Sequence, residues 1–475
     1  MKYEVTIGLE THVELATNSK IFCACGGHSS ANEPNDCVCP ACSGMPGMLP
    51  VMNKSVVELA VTAGLMLNCD INRYTTFDKK NYYYPDLPCA YQITQLFNPI
   101  CVNGKVQVKT NSGVSEIGIK QIHMEEDAGK LVHDEWTDTS LVDFNRTSVP
   151  LIEIVTHPDF HSAEEVVAYL EMLKSMFRFG NISECEEGAM RCDVNISVRP
   201  EGATELGVRA EIKNMSSLAS IERAIKYETA RHIDALERNT EVLVQETRRW
   251  DDTKGRTFAM RNKETEADYR YFPDPNLMPI VIDDEWLNEI KAKMPVSAEE
   301  KAKEYADAGI SDKEIEMLTA ERNLCDILDE VVALGCSAKE VAAWILTDCA
   351  GILRKNALLL SDLHIAPEKL AKIIKMVNDG KINRGAGKRV LGAVIENDVD
   401  PEKYCKDNGL DVQVDQGFIE GVVDRAIENN PAAVSDYKGG KVKAFQALLG
   451  ACMKELRGAG DPTVIKALLE QKLNK

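Results

Sequence analysis

Glu10, His12 and Glu14 fall at every second position of Leu9-Glu10-Thr11-His12-Val13-Glu14-Leu15. In an extended strand that spacing sets an imidazole between two carboxylates on one face, with Val5, Ile7, Leu9, Thr11, Val13 and Leu15 on the other. Such a face can hold a divalent cation or handle a phosphate-bearing substrate; the ordinary alternative is a solvated outer surface. His123, Glu125 and Asp127 repeat the pattern, and the same reading turns Glu126 the other way, toward solvent. Glu153 is the one charge in the apolar run Val149-Pro150-Leu151-Ile152-Glu153-Ile154-Val155. A lone buried carboxylate is too costly to leave unmatched, so Glu153 is expected to be liganded or salt-bridged. Asp193 and Asn195 share the polar face of Arg191–Arg199, and Glu211 and Lys213 that of Val208–Lys213. As a hairpin these two segments would array acids, an amide and an ammonium side by side.

A second kind of chemistry is written in cysteines. Cys23-Ala24-Cys25 and Cys37-Val38-Cys39-Pro40-Ala41-Cys42 are separated by a loop rich in Gly, Asn and Pro. Cys23, Cys25, Cys39 and Cys42 fit a structural zinc cage, with Cys37 left over and His28 as a substitute ligand. Unliganded thiols are the alternative. Further on, Lys79 and Lys80 precede Tyr82, Tyr83 and Tyr84 between Pro-containing turns, a stretch able to stack a base and steer a phosphate. Tyrosines packed in a core would look the same.

The elements that must position these groups can be read from periodicity and caps. A helix is expected at about 53–67, another after the capping box Ser162-Ala163-Glu164-Glu165, and a third from about Ser217 to Leu236. Trp250–Gly255 and Tyr269–Pro275 read as polar-aromatic loops. Strand signals fade after Met294-Pro295-Val296, and Ser297-Ala298-Glu299-Glu300 caps a run of helices. Gly409 to Asp415 reads as a joint, followed by helices over Gly417–Glu428, Lys441–Arg457 and Pro462–Lys472, the last capped by Asp461. The fold class is therefore α+β, in three parts: 1–294, 295–409 and 410–475.

At 475 residues the chain is too long for one core, and no apolar run is long enough to cross a bilayer. Fifteen cysteines and a start that enters a strand directly, with no signal peptide, point to a reducing cytoplasm. The net charge of −20 opposes a chain-wide nucleic-acid footprint, yet residues 381–475 carry 15 Lys+Arg against 14 Asp+Glu, so the acidity lies upstream.

Taken together, Leu9–Leu15, the cysteine knuckle, Lys80-Asn81-Tyr82-Tyr83-Tyr84-Pro85-Asp86, Glu125–Lys130, Pro150–Ile154, Met190–Asn195 and Asp268–Pro273 resemble the B-type subunit of the tRNA-dependent aspartyl/glutamyl amidotransferases. The resemblance runs through the first 294 residues in order and continues more weakly to the end. It implies a cradle-like mixed α/β catalytic domain, an all-helical domain and a tail that grips tRNA. It also implies ATP-dependent phosphorylation of the side-chain carboxylate on mischarged Glu-tRNA(Gln), and on Asp-tRNA(Asn), followed by displacement with ammonia. A partner glutaminase (amidase), the A-type component of the complex, would supply that ammonia through a tunnel. A small C-type component would clasp the pair.

On that reading Mg²⁺ is held by His12, Glu125 and Glu153, while Glu10, Asp193 and Glu211 place a second ion or orient its waters. Lys79 or Lys80 would contact phosphate or ammonia, Tyr82, Tyr83 and Tyr84 would receive the terminal adenosine, and Lys441 and Lys443 would meet tRNA phosphate at a helix start. Cys89, Ser148, Thr156-His157 and Gly458-Ala459-Gly460 depart from the family pattern. Two other classes use the same residues: a zinc-ribbon RNA-binding scaffold without chemistry, and a metal-dependent nuclease.

Overall fold

The computed structural model describes residues 2–26, 33–134, 137–186, 188–262, 269–410, 416–439, 441–455 and 462–473. Contacts divide the chain into two compact units, Met1–Val296 and Ser297–Lys475. His28, Asp461, residues 411–415 of the expected joint and Gly458-Ala459-Gly460 lie outside the described residues.

The first unit is built on a nine-stranded sheet with β1 (Tyr3–Glu14) at its centre. On one side of β1 lie β3 (Pro150–Thr156) and then β2 (Gly113–Glu126); on the other lie β4 (Met190–Pro200) and β5 (Ala210–Met215). Strands Cys101–Thr110 and Asp70–Ile71 extend one edge, and Glu246–Asp251 and Arg256–Asn262 the other. All neighbours run antiparallel except β5 and Glu246–Asp251, which are parallel. Trp250 thus lies in a paired strand, not in the loop that its polar neighbours suggested; pairing with Thr257 across the ladder overrides the local composition.

One sheet face is apolar and is closed by helices. Ile7, Leu9, Ile122, Ile152, Ile154 and Val194 are buried there against α1 (Lys54–Met66), α2 (Ala163–Phe179) and α3 (Leu218–Arg238). Burying each such side chain is worth about 1.5–3 kcal/mol, which fixes the register. The helices end where their caps dictate. Ser162 and Glu165 form a reciprocal capping box on α2, and Ser217 Oγ accepts from Ser220 N at the start of α3. With one face closed, the charged residues of the same strands must all emerge on the other. A small sheet of Asp78–Asn81, Tyr91–Thr94 and Phe272–Pro273 docks at the end of β2, where Gln92 Nε2 donates to Glu126 O.

The second unit, over its described residues, is helical throughout. Ala338–Ala343 passes through a π-helical stretch, Trp344–Cys349, into Ala350–Lys355. There the Arg384 guanidinium stacks 3.6 Å from the Trp344 ring centroid and pairs with Asp348, which Lys388 also meets at 2.8 Å. The last helices, Gln416–Asn429, Pro431–Lys438, Val442–Glu455 and Pro462–Leu473, share a core of Val422, Leu448, Cys452, Ile465 and Leu469. Pro431 does not merely stop a helix; it occupies the first turn of the next one, where its missing N–H costs nothing.

Candidate active site

The polar face of the sheet gathers its charges by register. Glu153 lies directly across from His12 on one side and from His123 on the other, so three adjacent strands contribute one row. Glu125 stands two residues along β2 from His123 and leans into the same row. His12 Nε2 lies 3.4 Å from Glu125 Oε1 and 3.5 Å from Glu153 Oε2, and His123 Nε2 lies 2.8 Å from Glu153 Oε2. Ligand atoms of His12, Glu125 and Glu153 all fall within 4.8 Å of one another, a donor set that suits a hard divalent ion. His123 Nδ1 is buried without a partner. These groups floor a cavity of about 480 Å³.

The electrostatics of the row are mutually dependent. Burial alone would lower the His12 pKa, but the hydrogen bond and charge of Glu153, with Glu125 and Asp193 behind it, hold it up at about 9. His123 is raised for the same reason, against the same burial cost. Glu153 is held well below the usual carboxylate range because two imidazoles outweigh its desolvation. Glu125 is pushed up by burial, which the charge of His12 only partly offsets, and Glu153 adds repulsion.

One row over, Glu10 faces Asp193 across the β1–β4 ladder, and Glu211 faces Asn195 across β4–β5. Oxygens of Glu10, Asp193 and Glu211 also fall within 4.8 Å of one another. Asn195 Nδ2 donates to Glu10 Oε1 at 3.1 Å, and Lys213 Nζ lies 2.5 Å from both Asp193 Oδ2 and Glu211 Oε1. Asp127 is taken by Arg191 at 2.8 Å and Arg146 at 3.3 Å. Glu14 leaves the row: it stands across from Leu151, on the side of Arg191.

At the rim, Lys80 Nζ lies 5.5 Å from the Tyr82 ring centroid and 5.1 Å from that of Tyr269, and Tyr269 in turn packs edge-on against Tyr271. Lys80, Tyr82 and Tyr271 line the cavity. Tyr83 and Tyr84, read as equivalents of Tyr82, instead turn outward at 83% and 53% exposure. Lys79 sits outside the cavity lining, 4.1 Å from the Tyr91 ring centroid and 3.9 Å from Asp274. In the second unit Lys441 pairs with Asp436 at 2.9 Å, and the side chain of Lys443 lies outside the described residues.

Two family models match: the GatB/GatE catalytic domain over residues 5–288 and the GatB domain over residues 326–473. Proteins named as the B-type subunit of aspartyl/glutamyl-tRNA(Asn/Gln) amidotransferase align end to end. That of Lachnoclostridium phytofermentans is 47% identical over 100% of this chain and 99% of its own. That of Lachnospira eligens is 48% identical over 99% of each. The Caldicellulosiruptor bescii protein is 46% identical over 100% of both. This chain belongs to the GatB family of amidotransferase subunits.

In this family member the cysteines form a second candidate centre. Sulfurs of Cys23, Cys25, Cys39 and Cys42 lie within 4.8 Å of one another, while Cys37 Sγ sits apart, accepting from Gly26 N at 3.1 Å. Their fit to a metal is tested by Lys20, which is fully buried beside them. Its Nζ reaches Cys37 O at 2.8 Å, Phe144 O at 3.4 Å and Cys42 Sγ at 3.6 Å. A buried ammonium needs an anion, and the Cys42 thiolate is the one at hand among the described residues. The Cys42 pKa is lowered, first by the Cys23 thiol and also by the charge on Lys20. Four sulfurs this close together, with Cys42 shifted toward its thiolate, suit zinc.

Glu126 corrects the expectation that it meets solvent. It points into an adjoining cavity of about 250 Å³, where Ile93 N donates to Oε1 at 2.9 Å and Ser148 Oγ to Oε2 at 2.6 Å. Burial lifts its pKa to about 7, against those two hydrogen bonds. Ser148 adopts φ +62°, which accounts for the glycine that the family pattern favours there; its hydroxyl bond to Glu126 helps hold the strained backbone. Cys89 lines the same cavity. Sequence reasoning put His123, Asn195 and Lys213 on the right faces without giving them roles. It missed Tyr271, for which the alternation Tyr269-Arg270-Tyr271 was the available signal.

Proposed function

We propose that this chain activates the side-chain carboxylate of Glu on mischarged Glu-tRNA(Gln), and of Asp on Asp-tRNA(Asn), with ATP and Mg²⁺, and converts it to the amide. The observation that carries this reading is the row His12–Glu153–His123 with Glu125, set in the floor of a large polar cavity. His12, Glu125 and Glu153 would hold Mg²⁺. When bound, the ion offsets the charge on transferring phosphoryl oxygens.

In the first step a carboxylate oxygen of the substrate attacks the γ-phosphorus. The bond to the bridging oxygen breaks and ADP leaves with the electron pair. Ammonia then attacks the acyl carbon, phosphate leaves with its pair, and the nitrogen gives up a proton. Lys80, with the rings of Tyr82, Tyr269 and Tyr271, suits the terminal adenosine and its phosphate. The cavity around Glu126 suits the arrival of ammonia, because a carboxyl poised near pH 7 can take and return a proton. Ammonia would come from a glutamine-hydrolysing A-type partner, with a small C-type partner completing the complex. Residues 410–475 would contact tRNA, with Lys441 and Lys443 near phosphate, and 295–409 would form a separate helical domain. Zn²⁺ would sit on Cys23, Cys25, Cys39 and Cys42. The absence of any membrane-spanning helix among the described residues accords with work in the cytoplasm.

The test reconstitutes the chain with its glutaminase and small partners, ATP, Mg²⁺, glutamine and Glu-tRNA(Gln). Gln-tRNA(Gln) should accumulate, and His12→Ala should remove it. Amidation that persists in His12→Ala, or RNA cleavage without ATP, would overturn the assignment.

A further inference from the structure

The two acidic groups on the sheet look alike in composition and differ in what fills them. Around Glu10, Asp193 and Glu211 five of the six carboxylate oxygens meet a donor within the protein. Asp193 accepts from Lys213 Nζ at 2.5 Å and from Asn214 N at 2.7 Å. Glu211 meets Lys213 Nζ at 2.5 Å and accepts from Thr247 Oγ1 at 3.1 Å, and Glu10 accepts from Asn195 Nδ2 at 3.1 Å. Around His12, Glu125 and Glu153 the contacts that hold the carboxylates together run through imidazole nitrogens, which are metal-ligand atoms themselves. Lys213 also lines the cavity and is 40% exposed, so its ammonium can reach a bound phosphate without leaving its acids.

We infer that Lys213 stands in for a second metal ion: the site takes one divalent cation, at His12, Glu125 and Glu153, and the Lys213 ammonium supplies the other positive charge facing the transferring phosphoryl group. A two-ion centre places its cations about 3.5–4 Å apart to clamp attacking and leaving oxygens. A fixed ammonium does part of that work with a single charge and no exchangeable waters. The inference rests on the phosphoryl-transfer reading above and deepens it.

The test counts Mn²⁺ bound to the full-length, zinc-loaded chain, read as loss of the free-ion EPR signal. Wild type should take up one Mn²⁺ per chain, and Glu153→Gln none. Lys213→Met, which keeps length and removes charge, should take up two, falling back to one when Asp193→Asn is added. Lys213→Arg should stay at one. Two ions in wild type, or a Lys213→Met chain that still binds one, would overturn the inference; the wild-type count decides it even where a variant does not fold. A wild-type chain that binds none removes the magnesium reading, and this inference with it.

Discussion

Two clusters of buried charge sit in the first unit, and they are balanced in opposite ways. Beside α3, Glu228 is fully buried among Arg231 at 2.8 Å, Arg248 at 3.1 Å and the hydroxyl of Thr257, while Glu246 meets both arginines at 3.2 and 2.6 Å. Two carboxylates meet two guanidiniums there, so the charge cancels and little is left for a ligand. On the polar face of the sheet, Glu10, Glu125, Glu153, Asp193 and Glu211 outnumber His12, His123 and Lys213, the basic groups that pair with them among the described residues. The first cluster is a strut joining α3 to the edge strands. The second carries an excess of negative charge that a cation would relieve. Burial alone does not mark a site; the uncancelled charge does.

Removing one carboxylate from each cluster puts the contrast to its hardest test. Glu125→Gln should cut amidation on the order of 10³-fold, as loss of a metal-holding group does, while thermal stability holds or rises because a carboxylate that burial pushes up is removed. Glu228→Gln should do the reverse, lowering the unfolding free energy by about 3 kcal/mol with kcat unchanged, since it strands Arg231 and Arg248. A Glu125→Gln chain that unfolds at full activity, or a Glu228→Gln chain that is stable but inactive, would reverse the two roles.

Titration separates the clusters more gently. Glu228 is held at about 2 against an ordinary 4.5, its burial outweighed by His232, Arg231 and Thr257. Its contribution is therefore present above pH 4.5 and is lost as pH falls toward 2, which acid unfolding of wild type and Glu228→Gln will measure. His12 runs the other way. Raised from 6.5 to about 9, it stabilises the empty fold below pH 6.5 and ceases to as pH climbs through 9. A metal must displace that proton, so Mn²⁺ affinity should rise about tenfold per pH unit and level off near pH 9, as titration calorimetry can show. A flat profile would mean that His12 is no ligand. The smallest effect belongs to the sulfur cage, which also borrows an outside charge. Lys20→Met should weaken zinc about tenfold in competition with a chelator, and Lys20→Arg should restore much of it.

Alternation along Glu10–Glu14 and His123–Asp127, and a single charge in Pro150–Val155, made the donors of the first row legible before any coordinates. The cap at Ser162 and the Cys-Pro-Ala-Cys knuckle were equally plain, because each depends on neighbours a few residues away. Glu126 was misread for a related reason. Alternation gives its side of the strand, but the docking of Tyr91–Thr94 and the turn at Ser148, which bury that side, are non-local. Tyr82, Tyr83 and Tyr84 are identical in kind, yet only Tyr82 turns to the cavity, an outcome set by packing against Tyr269.

Periodicity and local bonding were enough to say which side chains share a strand face, where the helices cap, and to which family the motifs belong. It took the folded chain to set Glu153 between His12 and His123, and to close Lys213 on Asp193 and Glu211. Pairing between strands more than a hundred residues apart is chosen by burial of the opposite, apolar face. The polar face inherits its geometry from a core that its own residues do not specify.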